Sequence, residues 1–497
     1  MFEIKDYTPR EYQENIVKTA LHHNTLIILP TGLGKTKTAI LLAIKRLNDY
    51  KNTQILFLTP TKPLASQIKK EFQNSTNIEE DYIQMLTGII SPKNRIEIFK
   101  KSKIIIATPQ TIQKDLENKR INLEDVSLLV IDEAHRSKEN YANTRVALFY
   151  NQQANHQRII ALTASPGGTR DKINEVCKNL FIEKIEIREE EHKEGAQYVM
   201  KKDITWIEVE LPKEMKEIHR VIKNVYKLRL KDLEKLGFYK PANVINKTDI
   251  LKLQSQLRKE IENKNQIAFY GISLTSYLLK IDYLLELLET QGLESIQKYW
   301  EKLKSENSKA AKALVSNKEI KEVMEKNKDL IKKGIKHPKL LALMETLKKE
   351  QEKTKTIVFA NYRDTIDEII SFLSQEPKIR PLKLIGQKSG LSQKEQISTI
   401  KTFEEEDYNT LICTSIGEEG LDISGASLAV FYDCVPSEIR AIQRAGRVGR
   451  MSSGRIIQLI TKDTREQGYY WSAKRKEKSM KYILKQMQSS STLENYQ

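Results

Sequence analysis

Short unbroken apolar runs alternate with stretches of helical periodicity from the start of the chain to about residue 185. The runs are TLIIL (25–29), QILFL (54–58), KIIIA (103–107), SLLVI (127–131) and RIIAL (158–162). Apolar runs of this length predict strands buried on both faces, as in a parallel sheet, and their alternation with helices predicts a doubly wound α/β domain. The same grammar returns near residue 355 with KTIVFA, LKLIG, TLICT, LAVFY and RIIQLI. Between the two, residues 213–335 carry few strand-like runs. In LTSYLLKIDYLLELL, residues Leu274, Tyr277, Leu278, Ile281, Leu284, Leu285 and Leu288 recur at spacings of three and four, which predicts one buried helix face. The expected plan is a first α/β domain over 1–200, a mainly helical insertion over 201–335, a second α/β domain over 336–480 and a polar tail over 481–497. Ligands of such open sheets lie beyond the carboxyl ends of the strands.

Composition narrows the class. The 497 residues are 39% hydrophobic and 30% charged, which suits a globular protein of several domains. No apolar stretch follows a basic start, so no secretory signal is expected, and no segment approaches a membrane span. Cys177, Cys413 and Cys434 are far apart. They match no metal-cluster spacing and no disulfide framework, which fits a reducing compartment. Net charge is +17, and residues 213–335 hold 26 Lys and Arg against 17 Asp and Glu, a surplus of +9. A quarter of the chain thus carries about half of the excess. A polyanionic partner and a solvated lysine-rich surface both accommodate that surplus; a helical module so charged, between two α/β domains, is a candidate nucleic-acid clamp.

Three motifs bring chemistry. ILPTGLGKT (28–36) ends like a phosphate-binding loop, although the strict pattern would place Gly where Leu29 stands. It follows a strand pattern and opens a helical one, the context the motif requires. In the loop Pro30, Thr31, Gly32, Leu33, Gly34, Lys35 and Thr36, the glycines allow a tight turn of backbone amides toward an anion. Lys35 supplies charge at the β- and γ-phosphates, and Thr36 offers its hydroxyl to Mg²⁺. LLVIDEAH (128–135) delivers Asp132 and Glu133 from the end of a strand. Asp132 is placed to hold Mg²⁺, and Glu133 to orient and deprotonate the attacking water. QRAGRVGR (443–450) lies in the second α/β domain. Arg447 and Arg450 share one side of a helix with this spacing and are candidate arginine fingers, with Arg444 nearby and Gln443 to help position water or phosphate. Catalysis would then require the domains to close.

These motifs, in this order, resemble superfamily 2 helicases and translocases, whose two motor domains are RecA-like. Further stretches match. REYQ (10–13) resembles the adenine-reading motif, with Gln13 as reader. TPTKPLASQ (59–67), LTG (86–88) and ATPQT (107–111) resemble strand-tracking motifs, which implies nucleic-acid contacts at Thr61, Lys62, Thr87, Gly88, Thr108 and Gln110. LTAS (162–165) resembles the coupling segment, which assigns that role to Thr163 and Ser165 together with His135. VFANYR (358–363), GQ (386–387) and TSIGEEGLDI (414–423) imply nucleic-acid contacts at Asn361, Arg363, Gln387 and Thr414, and place Gly420 and Asp422 toward the nucleotide. The resemblance implies ATP and Mg²⁺ as cofactors. Members with PTGxGKT commonly lack the first Gly, so Leu29 is an ordinary strand end.

LPTGLGKT, TPTKPL, TPQT, DEAHR, LTASPG, GEEGLD and QRAGRVGR together resemble most closely the archaeal Hef and Fanconi-anaemia M-type branch. That resemblance implies forked or branched DNA as partner, replication-fork repair as setting and an archaeal cytosol as location. The alternative is a double-stranded RNA-dependent ATPase or ATP-switched sensor of the RIG-I and Dicer-like type, which shares the helical insertion. No ERKxxxD nuclease signature occurs, so no nuclease is expected within this sequence, whether it is a helicase-only member or part of a longer chain. Trp300, Tyr299 and Tyr277 are aromatics of the insertion that could stack on bases at a junction, with packing as the expected role. Leu493 and Tyr496, three apart in the tail, partly resemble a sliding-clamp peptide, though the expected Gln and second aromatic are missing.

Overall fold

A computed structural model describes residues 1–30, 32–167, 169–188, 203–234, 245–262, 266–350, 354–385, 393–414, 426–434 and 455–489. The first sheet holds β1 (Thr25–Ile28), β2 (Gln54–Leu58), β3 (Ile83–Leu86), β4 (Ile104–Ala107), β5 (Val126–Ile131), β6 (Ile159–Thr163) and β7 (Lys184–Ile187) in the order β3-β4-β2-β5-β6-β1-β7. Every pairing is parallel. Its helices are α1 (Glu11–His22), α2 (Lys35–Asp49), α3 (Lys62–Ser75), α4 (Pro92–Lys101), α5 (Pro109–Glu117), α6 (Ala142–Gln153) and α7 (Arg170–Asn179). Two apolar layers, one on each face of the sheet, form the core.

The second sheet, also wholly parallel, runs β10-β11-β9-β12-β13-β8. Its strands are β8 (Asp203–Val209), β9 (Thr356–Phe359), β10 (Pro381–Leu384), β11 (Thr410–Cys413), β12 (Leu428–Phe431) and β13 (Arg455–Thr461). Between β8 and β9 lies a bundle of α8 (Lys213–Glu234), α9 (Lys247–Glu262), α10 (Gln266–Thr290), α11 (Leu293–Ser305), α12 (Lys309–Ser316) and α13 (Lys318–Lys332). Then come α14 (Pro338–Lys348), α15 (Arg363–Leu373), α16 (Gln393–Glu405) and, after β13, α17 (Arg465–Ser489). The seven residues of the α10 stripe from Leu274 to Leu288 are all buried, as are Tyr277 and Trp300. Tyr299 packs edge-on against Tyr283 at 4.8 Å, so these aromatics fill the bundle core. Among the described residues no helix is long and apolar enough to cross a membrane, and the three cysteines are buried and form no disulfide.

Two boundaries differ from expectation. The insertion does not begin at 201, because β8 pairs with β13 along its whole length, Asp203↔Arg455 to Val209↔Thr461. The polar tail does not begin at 481, because α17 continues to Ser489 and buries Leu484 and Met487 with Met480 in the first domain's core. Mixed polar and apolar composition hid both features: a strand with one neighbour, or a helix with one buried stripe, shows no unbroken apolar run.

Charge ties the bundle to the second domain. Glu289 of α10 bonds His219 of α8 at 2.8 Å and Arg465 of α17 at 2.7 Å, and Arg465 also reaches Asp282 at 3.3 Å. Burial alone would raise the Glu289 carboxyl, but His219 and Arg465 hold it below its ordinary value. Lys339, wholly buried, bonds Glu466 and the Tyr432 carbonyl.

Candidate nucleotide site and nucleic-acid face

β1 is buried at every position, and Leu29 continues it inward. The chain then turns through Gly32 (φ 94°) and Gly34 (φ 71°) before α2 begins at Lys35. Those values lie in the left-handed region, where glycine is the least strained residue. No side chain caps α2, and its first turn has no acidic residue, so its amides and the positive end of its dipole face the loop as an anion cradle. Lys35 Nζ bonds the Leu29 carbonyl at 2.9 Å, back across the loop.

α1 braces this loop from behind. Tyr12 Oη donates to the Leu33 carbonyl at 2.7 Å. Gln13, fully buried, accepts from Tyr7 Oη and from the Arg10 amide, and its Nε2 lies 3.5 Å from the Gly34 carbonyl. The Gln13 amide therefore reports on loop position.

Asp132 and Glu133 follow β5, two strands from β1 with β6 between them, a lateral offset of about 10 Å at ordinary strand spacing. Burial raises the Asp132 carboxyl to about 7, Glu133 pushes the same way, and Lys35, the Glu133 amide and His135 pull it back. A divalent cation would reverse that burial effect. The carboxylate of Asp132 and the hydroxyl of Thr36 are hard oxygen donors of the kind Mg²⁺ takes, so the donor set fits the metal. Glu133 is held at φ 51°, ψ 49°, an unusual conformation for a residue with a side chain. Its Oε2 lies 3.3 Å from His135 Nδ1, which is also 3.3 Å from Thr163 Oγ1. Thr163 Oγ1 accepts from the Ser165 amide at 3.1 Å, and Ser165 Oγ donates to Met480 Sδ of α17 at 3.0 Å. Nδ1 carries at most one hydrogen, so it can donate to Glu133 or accept from Thr163, not both.

The residues expected to track a nucleic-acid strand lie beyond the carboxyl ends of the other strands. Thr61 caps α3 after β2, with Lys62 as that helix's first residue. Thr87 and the exposed Gly88 follow β3, and Thr108 and the exposed Gln110 follow β4. In sheet order, β3-β4-β2 carry these residues and β5-β6-β1 carry the nucleotide residues. In the second domain Asn361 follows β9, Arg363 opens α15 and Thr414 follows β11. The Asn361 amide donates to Asp433 Oδ2 at 2.6 Å, and Asp433 Oδ1 accepts from Gln291 Nε2 of the insertion at 2.8 Å. Thr31, Gln387, Gly420, Asp422, Gln443, Arg444, Arg447 and Arg450 lie outside the described residues, as do Leu493 and Tyr496. Sequence reading missed Met480, Asp433 and Gln291. Each is an ordinary residue at a domain junction, and no local pattern marks it.

Two parallel sheets, the first with Gly-Lys-Thr after β1 and Asp-Glu-Ala-His after β5, are the build of a superfamily 2 motor. Family models agree: "DEAD/DEAH box helicase" matches residues 10–173, a helical bundle described for an ATP-dependent RNA helicase matches 214–337, and "Helicase conserved C-terminal domain" matches 338–452. The crystal structure of the Pyrococcus furiosus Hef helicase domain is similar, with 40% identity and a TM-score of 0.72 over 93% of this chain and 98% of that one. The chain belongs to the Hef helicase family. Among curated relatives, a Methanocaldococcus jannaschii protein named as a provisional ATP-dependent RNA helicase is 39% identical over 97% of this chain and 61% of its own. The Schizosaccharomyces pombe ATP-dependent DNA helicase fml1 is 34% identical over 92% and 57%. The chain therefore spans about three fifths of those two relatives.

Proposed function

We propose that the chain is an ATP-driven helicase or translocase acting on forked or branched DNA in replication-fork repair or recombination, in the cytosol. The observation that carries this reading is the divided carboxyl edge of the first sheet: nucleotide residues on β5, β6 and β1, tracking residues on β3, β4 and β2, and Thr163 between Glu133 and the rest of the chain. The α2 amides and Lys35 bind the phosphates, Gln13 reads the base edge by turning from the Tyr7 and Gly34 contacts that now hold it, and Glu133 orients the attacking water. Mg²⁺, held by Thr36 and Asp132, would neutralise charge on the β- and γ-phosphates. Arg447 and Arg450 serve as arginine fingers on the γ-phosphate on closure, Gln443 helps to position water or phosphate, and Gly420 and Asp422 serve the nucleotide. As Glu133 loses its water, His135 exchanges partners with Thr163, and the change passes through Ser165. Thr61, Lys62, Thr87, Gly88, Thr108 and Gln110 grip one part of a strand's backbone, and Asn361, Arg363, Gln387 and Thr414 another. Such contacts give position, not sequence. The +9 insertion grips duplex near a branch.

DNA as substrate follows the Hef kinship and relatives such as fml1; the RNA name of the M. jannaschii relative keeps a double-stranded RNA-dependent ATPase as the second reading. ATP-dependent strand displacement on forked DNA, blunt duplex DNA and double-stranded RNA separates them. The proposal expects displacement on the fork, loss of it in Glu133→Gln, and little on RNA. ATPase stimulated only by RNA, with no displacement of any DNA, defeats it.

A further inference from the structure

α17 has two faces of different chemistry. Ala473, Met480, Leu484 and Met487 are its buried stripe. On the other side Trp471, Arg475, Lys478 and Tyr482 recur at the spacing of one helix face and are all exposed, Trp471 at 55% and Tyr482 at 65%. They span about 16 Å of helix axis. Trp471 stands beside Tyr470 and Trp206 of β8, with centroids 5.3 and 6.2 Å away, and Lys474 Nζ lies 5.3–5.9 Å from all three rings. Between 474 and 485 there are six Lys or Arg and one Glu.

Their packing against each other, with ring centroids 3.7 Å apart, accounts for Trp206 and Tyr470. It does not account for Trp471 and Tyr482, which leave large apolar area in solvent beside concentrated positive charge. Exposed aromatics interleaved with cations match a polyanion with π faces, because bases stack on rings while phosphates meet ammonium and guanidinium groups. A protein partner that used the rings alone would find the cations a desolvation cost.

We propose that this stripe of α17, with Lys474 and Trp206 at one end, is a further single-strand nucleic-acid site, in which bases stack on Trp471 and Tyr482 and phosphates pair with Arg475 and Lys478. The site rests on the nucleic-acid reading above and extends it. A strand held here lies about one helix diameter, 10–12 Å, from Met480, which touches Ser165 of the coupling segment. α17 itself runs from the second domain at Glu466 into the first domain's core at Met487. The strand would thus rest on the element that joins both motor domains.

The test uses the full chain and an unlabelled oligothymidylate, read by quenching of tryptophan fluorescence. Trp300 is buried, so of the three tryptophans only Trp471 and Trp206 can respond. Trp471→Ala should remove most of the quench and weaken binding about tenfold, within the range for one stacked base, and Trp471→Phe should restore binding. Arg475→Gln with Lys478→Gln should lower the log–log salt slope by about 1.4, two phosphates at about 0.7 each for a single strand. An unchanged melting midpoint shows that each variant is folded. Absence of any binding by the wild-type chain defeats the parent reading and this one with it. Wild-type affinity and slope in all the variants, whatever protein the stripe captures, overturns this one alone.

Discussion

Gly34→Ala separates two costs that the phosphate loop combines. Gly34 has φ 71°, and a Cβ there would meet Gln13 Nε2 at 2.8 Å; Gly32 has φ 94° and no atom within 4 Å of its Cβ position. An L residue in the left-handed region costs about 1–2 kcal/mol at either site. At Gly34 the collision adds more, because Gln13 cannot yield freely: it is fully buried and held by Tyr7, the Arg10 amide and the Gly34 carbonyl. Losing two or three of those bonds, at about 1 kcal/mol net each, adds about 2–3 kcal/mol. Gly34→Ala should therefore cost about 3–5 kcal/mol and Gly32→Ala about 1–2 kcal/mol. At about 2–4 °C per kcal/mol for a domain of this size, the first domain's calorimetric midpoint falls by about 6–20 °C in one and 2–8 °C in the other. In a Gln13→Ala background, Gly34→Ala should cost only the backbone part, which leaves a coupling energy of about 2–3 kcal/mol. Equal losses at the two glycines, or no coupling to Gln13, refutes the reasoning.

Lys35→Ala should abolish ATP turnover, and Glu133→Gln should keep nucleotide binding while stopping hydrolysis; a steady-state rate near wild type in either removes the site assignment. Arg447→Ala and Arg450→Ala should each slow hydrolysis about 10³-fold or more with a much smaller loss of affinity, and the opposite split makes them ground-state binders. Lys339→Met leaves Glu466 buried without its cation, at a cost of about 3–5 kcal/mol at neutral pH. Burial raises the Glu466 carboxyl, Lys339 pulls it back and Asp433 pushes it up, so a folded-state value above the unfolded one makes the variant's penalty grow with pH above the unfolded carboxyl range. The urea midpoints of variant and wild type should lie closer at pH 5 than at pH 8, and an equal gap at both rejects the charge argument. Spin-label distances between α13 and α15 should stay fixed when nucleotide binds while those between α3 and α15 shorten; a change in the first pair shows a hinge between the insertion and the second domain.

The strands legible in the sequence were those with neighbours on both sides. β1, β2, β4, β5 and β6 are interior in the first sheet, and their burial forces unbroken apolar runs. The unread strands β3, β7 and β8 are all at sheet edges. Their sequences IQML, KIEI and DITWIEV keep polar residues where one side meets water. β10, also an edge, was legible only because LKLIG retains enough apolar positions. The chemistry divides in a similar way. Lys35, Asp132 and Glu133 stand out in the sequence because the phosphate chemistry proposed for them would fix residue types within two short motifs, each at the end of an apolar strand. The bond from Ser165 to Met480 joins residues 315 apart, and no spacing rule reaches that far.

The distribution of buried charge decides which joint of the molecule bends. At the junction between insertion and second domain, Glu289 is buried and Arg465 is largely so, and Arg465 faces Glu289, Asp282 and Glu286 of α10. Rotating the insertion there would strand several of them, at about 3–5 kcal/mol for each broken pair. Gln291 adds a second constraint, because its bond to Asp433 shares that carboxylate with the Asn361 amide, so the insertion and a tracking residue keep a common reference. The described contact between first and second domains through α17 is of another kind. Apart from the hydrogen bond from Ser165 to Met480, it rests on the thioether and methyl groups of Met480, Leu484 and Met487 in the apolar cluster that holds Ile185, Ile187 and Leu180, non-directional contacts that can slide at small cost. On the proposed function, a motor with that contrast would close between its two sheets and carry the insertion along as an arm of the second, so a change at Glu133 would reach bound nucleic acid as displacement of the insertion and not as its deformation.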